Sequence, residues 1–232
     1  MKTAGILGGI GPESTVDYYR SIIAEYRRRR TDSSEPSILI NSIDVGRLLG
    51  YVGRGELREL VAYLEPELAR LARAGADFLV LASNTPHVVF DDLRRSATLP
   101  MISIVDAAAN AVQASGARKV GLFGTRFTMS GSFYPDVFAA RGVKVIRPGS
   151  DEQTYIHTAY IDELLKNVFR DETRARMLEI ADAMRVRDGI EGVVLGGTEL
   201  PLLLRQNEHN GVRLFDTTKI HVDAIVTELL TG

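Results

Sequence analysis

VLASNTPH (residues 80–87) and VLGGTELP (residues 194–201) are one structural event written twice. In each, an apolar run of the kind that forms a buried parallel strand stops at a polar, turn-forming loop. The two stand 114 residues apart, counting from Val80 to Val194. Two more landmarks recur in the same order. ILGG (6–9) is matched by LFGT (122–125), 116 residues on, and ISIVDAAANAV (102–112) by VRLFDTTKIHV (212–222), 110 residues on. Offsets this close to constant point to a duplicated fold.

Between the landmarks, β-rich runs alternate with amphipathic helical ones. The first half predicts strands at 4–9, 37–44, 78–83 and 100–105, and helices over 12–30, 55–75 and about 88–95. The 55–75 stretch carries Leu57, Leu60, Leu64, Leu68 and Leu71 at spacings of three and four, with Pro66 as a candidate kink. The second half predicts strands at 119–125, 143–148, 192–197 and 212–216. Its helices fall over 127–142, in two segments across 151–187, and over 221–230. Alternation of this kind builds parallel sheets covered on both faces. The expected fold is therefore α/β, with two pseudo-symmetric, doubly wound lobes: 1–108 plus 217–232, and 109–216. Ligands of such sheets bind beyond the strand carboxyl ends, where all the conspicuous loops lie. The expectation is an active-site cleft between the lobes.

Composition narrows the function classes. The 232 residues are 45% hydrophobic and 25% charged, with a formal net charge of −2 and no cysteine. That charge gives no reason to expect nucleic acid or an anionic membrane as partner. The run Arg27–Arg30 reads as a solvated helix C-terminus. Without cysteine there is no disulfide, thiolate metal site or thiol nucleophile in this sequence. No apolar run approaches the length of a membrane span, and MKTAGILGG does not read as a signal peptide. A cytoplasmic location is expected.

The loops supply the candidate chemistry. GGIGPEST (8–15) lacks the Lys-Ser/Thr ending of a P-loop and does not fit GxGxxG, so no nucleotide cofactor is implied. Gly9 and Pro12 nevertheless open a helix whose N-terminus suits an anion. NTPH places Asn84, Thr85 and His87 at one strand end; TELP places Thr198 and Glu199 at the repeat-related one. Each loop alone is equally compatible with helix capping. Thr125 and Thr128, in GTRFTMSGSFY (124–134), offer hydroxyls at the counterpart of the first glycine loop. Arg47, amid Gly46, Gly50, Gly53 and Gly55, reads as mobile-loop material, either a bidentate carboxylate clamp or a surface arginine. Lys166 in IDELLKNVF sits on an amphipathic stretch where a solvated lysine is equally at home. His157 and His221 show no metal-ligand spacing, and no metal is expected.

Together these motifs resemble those of the aspartate/glutamate racemase family, the cofactor-independent amino-acid racemases. GGIGPEST, Asn84-Thr85, GTRFTMSGSFY, IDELLKNVF and above all GGTELPLLL (196–204) carry the resemblance across the whole chain. It implies a two-lobe fold, no cofactor, a small acidic amino acid or dicarboxylate as ligand, and a homodimer. It implies Arg47 and Lys166 as carboxylate-binding cations. It also implies Asn84, Thr85, Thr125, Thr128 and Thr198 as groups that hold the amino acid.

The family's reaction needs one proton carrier on each face of the α-carbon, usually a cysteine from each lobe. By motif position those places are Ser83 and Gly197. A serine hydroxyl is a far weaker acid than a thiol, and glycine has no side chain with which to move a proton. Two-thiol racemisation is closed to this sequence. Three readings stay open: a racemase relative using other groups, a lyase, decarboxylase or one-sided isomerase relying on Glu199 or His87, and a non-catalytic binder.

Overall fold

A parallel strand buried on both faces needs an unbroken apolar run. FLVL (Phe78–Leu81) and GVVLG (Gly192–Gly196) meet that need, and every residue of both is buried. They sit inside two sheets of a computed structural model that describes residues 2–30 and 32–231. The chain divides into two compact units, Met1–Ile104 with His221–Gly232, and Val105–Ile220.

The first unit runs β1 (Thr3–Gly8), α1 (Pro12–Arg29), β2 (Ser37–Ser42), α2 (Val45–Arg54), α3 (Leu57–Arg73), β3 (Phe78–Leu81), a 3-10 turn (Thr85–Val89), α4 (Phe90–Ser96) and β4 (Met101–Ile102). The chain continues through α5 (Ile104–Ala114), β5 (Lys119–Gly124), α6 (Arg126–Ser130), α7 (Phe133–Ala139), β6 (Lys144–Ile146) and α8 (Ser150–Asp162). A 3-10 turn (Leu164–Lys166), α9 (Asp171–Asp188), β7 (Gly192–Gly196), α10 (Leu200–Leu203), β8 (Glu208–His209), β9 (Val212–Asp216) and α11 (Thr217–Leu229) complete it.

The first sheet has the order β2-β1-β3-β4, all parallel. The second has the order β6-β5-β7-β9-β8, parallel except for the antiparallel pair β8 and β9. Apart from β8, the orders match strand for strand, as the duplicated landmarks predict. In each sheet the connections leave in opposite directions from the central pair, β1 and β3 or β5 and β7. A crevice opens at such a switch point beyond the strand carboxyl ends. The loops after those four strands are the ones singled out by sequence.

Alternation along the strands sorts the first sheet's core. Ala4, Ile6, Phe78, Val80 and Ala82 share one cluster with Tyr18, Ile22 and Tyr26 of α1 and Val222, Ile225, Val226 and Leu229 of α11. Leu7, Leu79 and Leu81 point the other way, into Leu48 and Val52 of α2 and Leu60, Leu64, Leu68 and Leu71 of α3. In the second unit, Phe123, Val193, Leu195, Val212 and Leu214 pack with Ile156 and Tyr160 of α8 and Met177, Ile180, Ala181 and Met184 of α9.

Three expectations are corrected. Arg47 is not in a loop: Asp44 caps α2, its carboxylate accepting from the Gly46 and Arg47 amides, and the Gly-rich stretch is helical as far as Arg54, with Gly55 left-handed at its end. Glycine frequency misleads there because the cap and the buried Leu48 and Val52 decide the conformation. The strand expected over 100–105 is only Met101–Ile102, since the chain turns into α5 at Ile104. The 127–142 helix is interrupted near Gly131, where an extended residue ends α6 before α7. The helix α3 is continuous through Pro66, its expected kink site. Replacing the α2 cap, Asp44→Ala, is expected to cost about 1 kcal/mol in urea unfolding, the usual worth of an N-cap; an unchanged midpoint would show that α2 stands without it.

Candidate functional site

At the end of β1, Gly9 has φ +82°, and a Cβ there would lie 2.5 Å from the Ile43 carbonyl oxygen. Only glycine fits that approach of two backbones. The Gly9 amide donates to Thr15 Oγ1 at 2.8 Å, so α1 folds a hydroxyl back onto the loop before Pro12 starts the helix. Arg47 lies in the first turn of α2. Its guanidinium stacks over the Tyr63 ring, 4.5 Å from the centroid, and its Nε donates to the Tyr51 hydroxyl at 3.2 Å. No acid pairs with Arg47 among the described residues. A cation held by aromatic faces with its charge unneutralised suits a carboxylate ligand.

The loop after β3 buries Ser83, Asn84, Thr85 and His87. The Ser83 hydroxyl has no hydrogen-bond partner among the described residues, so no base stands ready to activate it. His87, a candidate for acid–base work, has both ring nitrogens committed to the backbone. Nδ1 donates to the Ser83 carbonyl at 2.9 Å, and Nε2 accepts from the Ile104 amide at 3.2 Å. The ring stacks on Phe90 at 4.8 Å and stands edge-on to His221 at 6.5 Å. His221 takes the opposite tautomer, accepting from the Tyr18 hydroxyl at Nδ1 (2.9 Å) and donating to the Ile102 carbonyl from Nε2 (3.2 Å). Burial drives His87 down to about 3 and His221 down to about 4. Both are neutral props for their loops, with no lone pair left for a substrate.

In the second unit, Thr125 caps α6, accepting from the Thr128 amide at 3.3 Å, and the two threonine hydroxyls meet at 3.2 Å. Lys166 stands apart. Its side chain is 64% exposed and pairs at 3.5 Å with the similarly exposed Asp162, one turn back. Such a pair is weak and leaves the ammonium solvated.

The loop after β7 is different. Glu199 is 5% exposed and accepts from the Tyr160 hydroxyl and from Thr198 Oγ1, the latter at 2.9 Å. Burial raises the Glu199 carboxyl, and burial followed by the neighbouring carboxylate raises the Tyr160 phenol well above its usual value. At Gly197 a Cβ would fall 2.7 Å from the Tyr160 hydroxyl oxygen and 2.9 Å from its Cζ. The phenol occupies the space that a side chain at 197 would take. Sequence alone does not give Tyr160 this place. The only trace in the sequence is an aromatic residue in the helix before IDELLKNVF, paired with a glycine where the family pattern expects a side chain.

The Asp/Glu/Hydantoin racemase family model matches residues 7–225. An aspartate racemase homologue from Pyrococcus horikoshii, over the full length of both chains, is 34% identical with a TM-score of 0.85. A crystal structure described as a candidate Asp/Glu racemase, from Yersinia pestis, is 29% identical with a TM-score of 0.90, covering 99% of this chain and 100% of that one. The broad specificity amino-acid racemase RacX of Bacillus subtilis is 26% identical over 153 residues, 61% of this chain and 63% of that protein. The chain thus spans under two thirds of that relative's length.

The buried imidazoles set an acid limit. Unfolded histidine takes its proton near 6.5, while folded His221 and His87 resist to about 4 and about 3. Between those values the unfolded chain binds more protons, so stability falls as the pH drops. By pH 4 the loss is on the order of 3 kcal/mol for each imidazole. The melting temperature is expected to decline steadily from pH 6.5 to 4; a flat profile there would show that the two rings are not buried neutral.

Proposed function

The chain belongs to the Asp/Glu/Hydantoin racemase family, and from that premise we propose that it binds a small acidic amino acid and does not racemise it by the two-thiol route. One observation carries the second half: the sequence holds no cysteine, and the loop after β7 has neither a side chain at 197 nor room for one. Ser83, with no hydrogen-bond partner or base bonded to it among the described residues, is a poor substitute for a thiol. The binding half rests on Arg47. An arginine held between tyrosines, with no acid in an ion pair with it among the described residues, suits a carboxylate, and two similar solved structures are described as an aspartate racemase homologue and a candidate Asp/Glu racemase. Within their own units, Asn84 and Thr85, and Thr125, Thr128 and Thr198, stand at strand ends as polar groups of the kind that hold amino and carboxyl substituents.

A second reading has its own support. Glu199 is the one buried carboxyl in the candidate set, and its raised pKa suits an acid–base group acting alone. Chemistry on one face of an α-carbon, as in a lyase or one-sided isomerase of a dicarboxylate, needs only one such group. His87 drops out of this reading because its nitrogens are spent on backbone.

Calorimetric titration with L- and D-aspartate, L- and D-glutamate and succinate tests the binding. At least one is expected to bind, and Arg47→Ala to weaken it about tenfold or more, the worth of a charge-assisted carboxylate contact. Equal affinity in the variant would remove Arg47 from the site, and no binding by any of the five would overturn the proposal. Chiral chromatography after prolonged incubation is expected to show no interconversion of enantiomers.

A further inference from the structure

The place vacated at 197 is filled, and the group that fills it carries a proton. We propose that Tyr160, backed by Glu199, is the proton carrier of the second unit, exchanging the α-proton of the bound amino acid on one face without inverting it. The inference rests on the acidic-amino-acid reading above and names the group that acts there.

Three observations support it. The Cε2 edge of the phenol, with its oxygen 2.7 Å away, crowds the position of a residue-197 Cβ, at the carboxyl end of β7 beside the switch point of its sheet. It is placed rather than loose. Tyr160 is 5% exposed within a cluster formed by Ile156, Ala159, Leu195, Leu200 and Leu203, and its hydroxyl is tied to Glu199. Glu199 is in turn oriented by Thr198, its immediate neighbour. A purely structural tyrosine needs only a backbone carbonyl to satisfy its hydroxyl. Here a buried carboxylate has been put under it, at the cost of desolvating an acid. Such an arrangement makes sense when the hydroxyl must give and regain its proton.

The step balances within these groups. The phenolic oxygen takes the α-proton as its own proton passes to the Glu199 carboxylate. The Cα–H bond breaks, a new O–H bond forms on Tyr160, another forms on Glu199, and the electron pair from Cα spreads into the α-carboxylate of the ligand. No free phenolate or oxidant is required. While the carbanion lasts, the two enzyme protons equilibrate with solvent, and reversal returns a deuteron to the face the proton left. Ser83, with no hydrogen-bond partner among the described residues, offers no comparable relay, so inversion does not follow.

The full chain is incubated in D₂O with each enantiomer of aspartate and glutamate, and the α-proton signal is followed by NMR, with chiral analysis and titration in parallel. The wild type is expected to exchange one enantiomer without inversion. Tyr160→Phe should lose at least about a hundredfold in exchange rate, the usual worth of a general acid–base group, with affinity within about threefold of wild type if its role is proton transfer. Glu199→Gln should slow exchange and abolish the pH dependence contributed by the carboxyl. Exchange undiminished in Tyr160→Phe, exchange with inversion, or binding without exchange would each overturn the inference while leaving the binding proposal intact. No binding at all would remove both. The steric premise is checked without any ligand: Gly197→Ala should lower the melting temperature by about 5 °C through overpacking against the phenol, and an unchanged value would show that Tyr160 does not hold that space.

Discussion

The contact between Tyr160 and the backbone at Gly197 is the constraint on which the arrangement of the loop after β7 depends. A phenol ring and a Cβ cannot share one volume, and here the ring has it. The ring could give way only by leaving a packed cluster and breaking its bond to Glu199, which would strand a carboxyl that is 5% exposed. Glycine at 197 and tyrosine at 160 are therefore one choice made at two positions. The same choice explains the Glu199 environment, because a buried acid with two hydroxyl donors is stable only with those donors in place.

The first unit shows the opposite case, in which groups with catalytic credentials turn out to be structural. His87 lies in the NTPH loop, whose Asn84 and Thr85 the family resemblance marks as functional, and His221 packs edge-on to it, yet each imidazole bridges elements as a neutral donor–acceptor. One ties the Ser83 loop to the start of α5, and the other ties α11 to Tyr18 and β4. Fixing a loop at a sheet switch point with a doubly bonded ring positions its neighbours, Asn84 and Thr85, without any proton moving. Arg47 lies between these extremes. Its placement is structural, set by the Asp44 cap and the tyrosine faces, and no acid forms an ion pair with it among the described residues.

Much of this was legible in the sequence, for physical reasons. Period-2 alternation and fully apolar runs specify which strands are buried on one face or both, and the recurrence of three landmarks specified that the plan is made twice. The sheet orders follow that reading, strand for strand apart from β8. The absence of cysteine, together with Ser83 and Gly197, excluded thiol chemistry before any coordinates. Composition did less well at α2, where four glycines suggested a loop but the Asp44 cap and two buried apolar residues made a helix. Local propensity is weaker than a cap combined with burial.

What the sequence determined by itself is the class of fold, the family and the missing thiols, since all three are properties of local pattern and residue identity. What only the tertiary structure decided is which side chains face one another. Tyr160 and Gly197 are 37 residues apart in the chain, and Tyr160 and Glu199 are 39 apart. Their meeting is set by how α8 lies against β7, and neither hydrophobic period nor motif spacing encodes that. The tautomers of His87 and His221 are of the same kind. They depend on partners from β4, α1 and α5 that come together only when the helices close over the sheet, because a hydrogen bond is specified by distance and direction in space and not by separation along the chain.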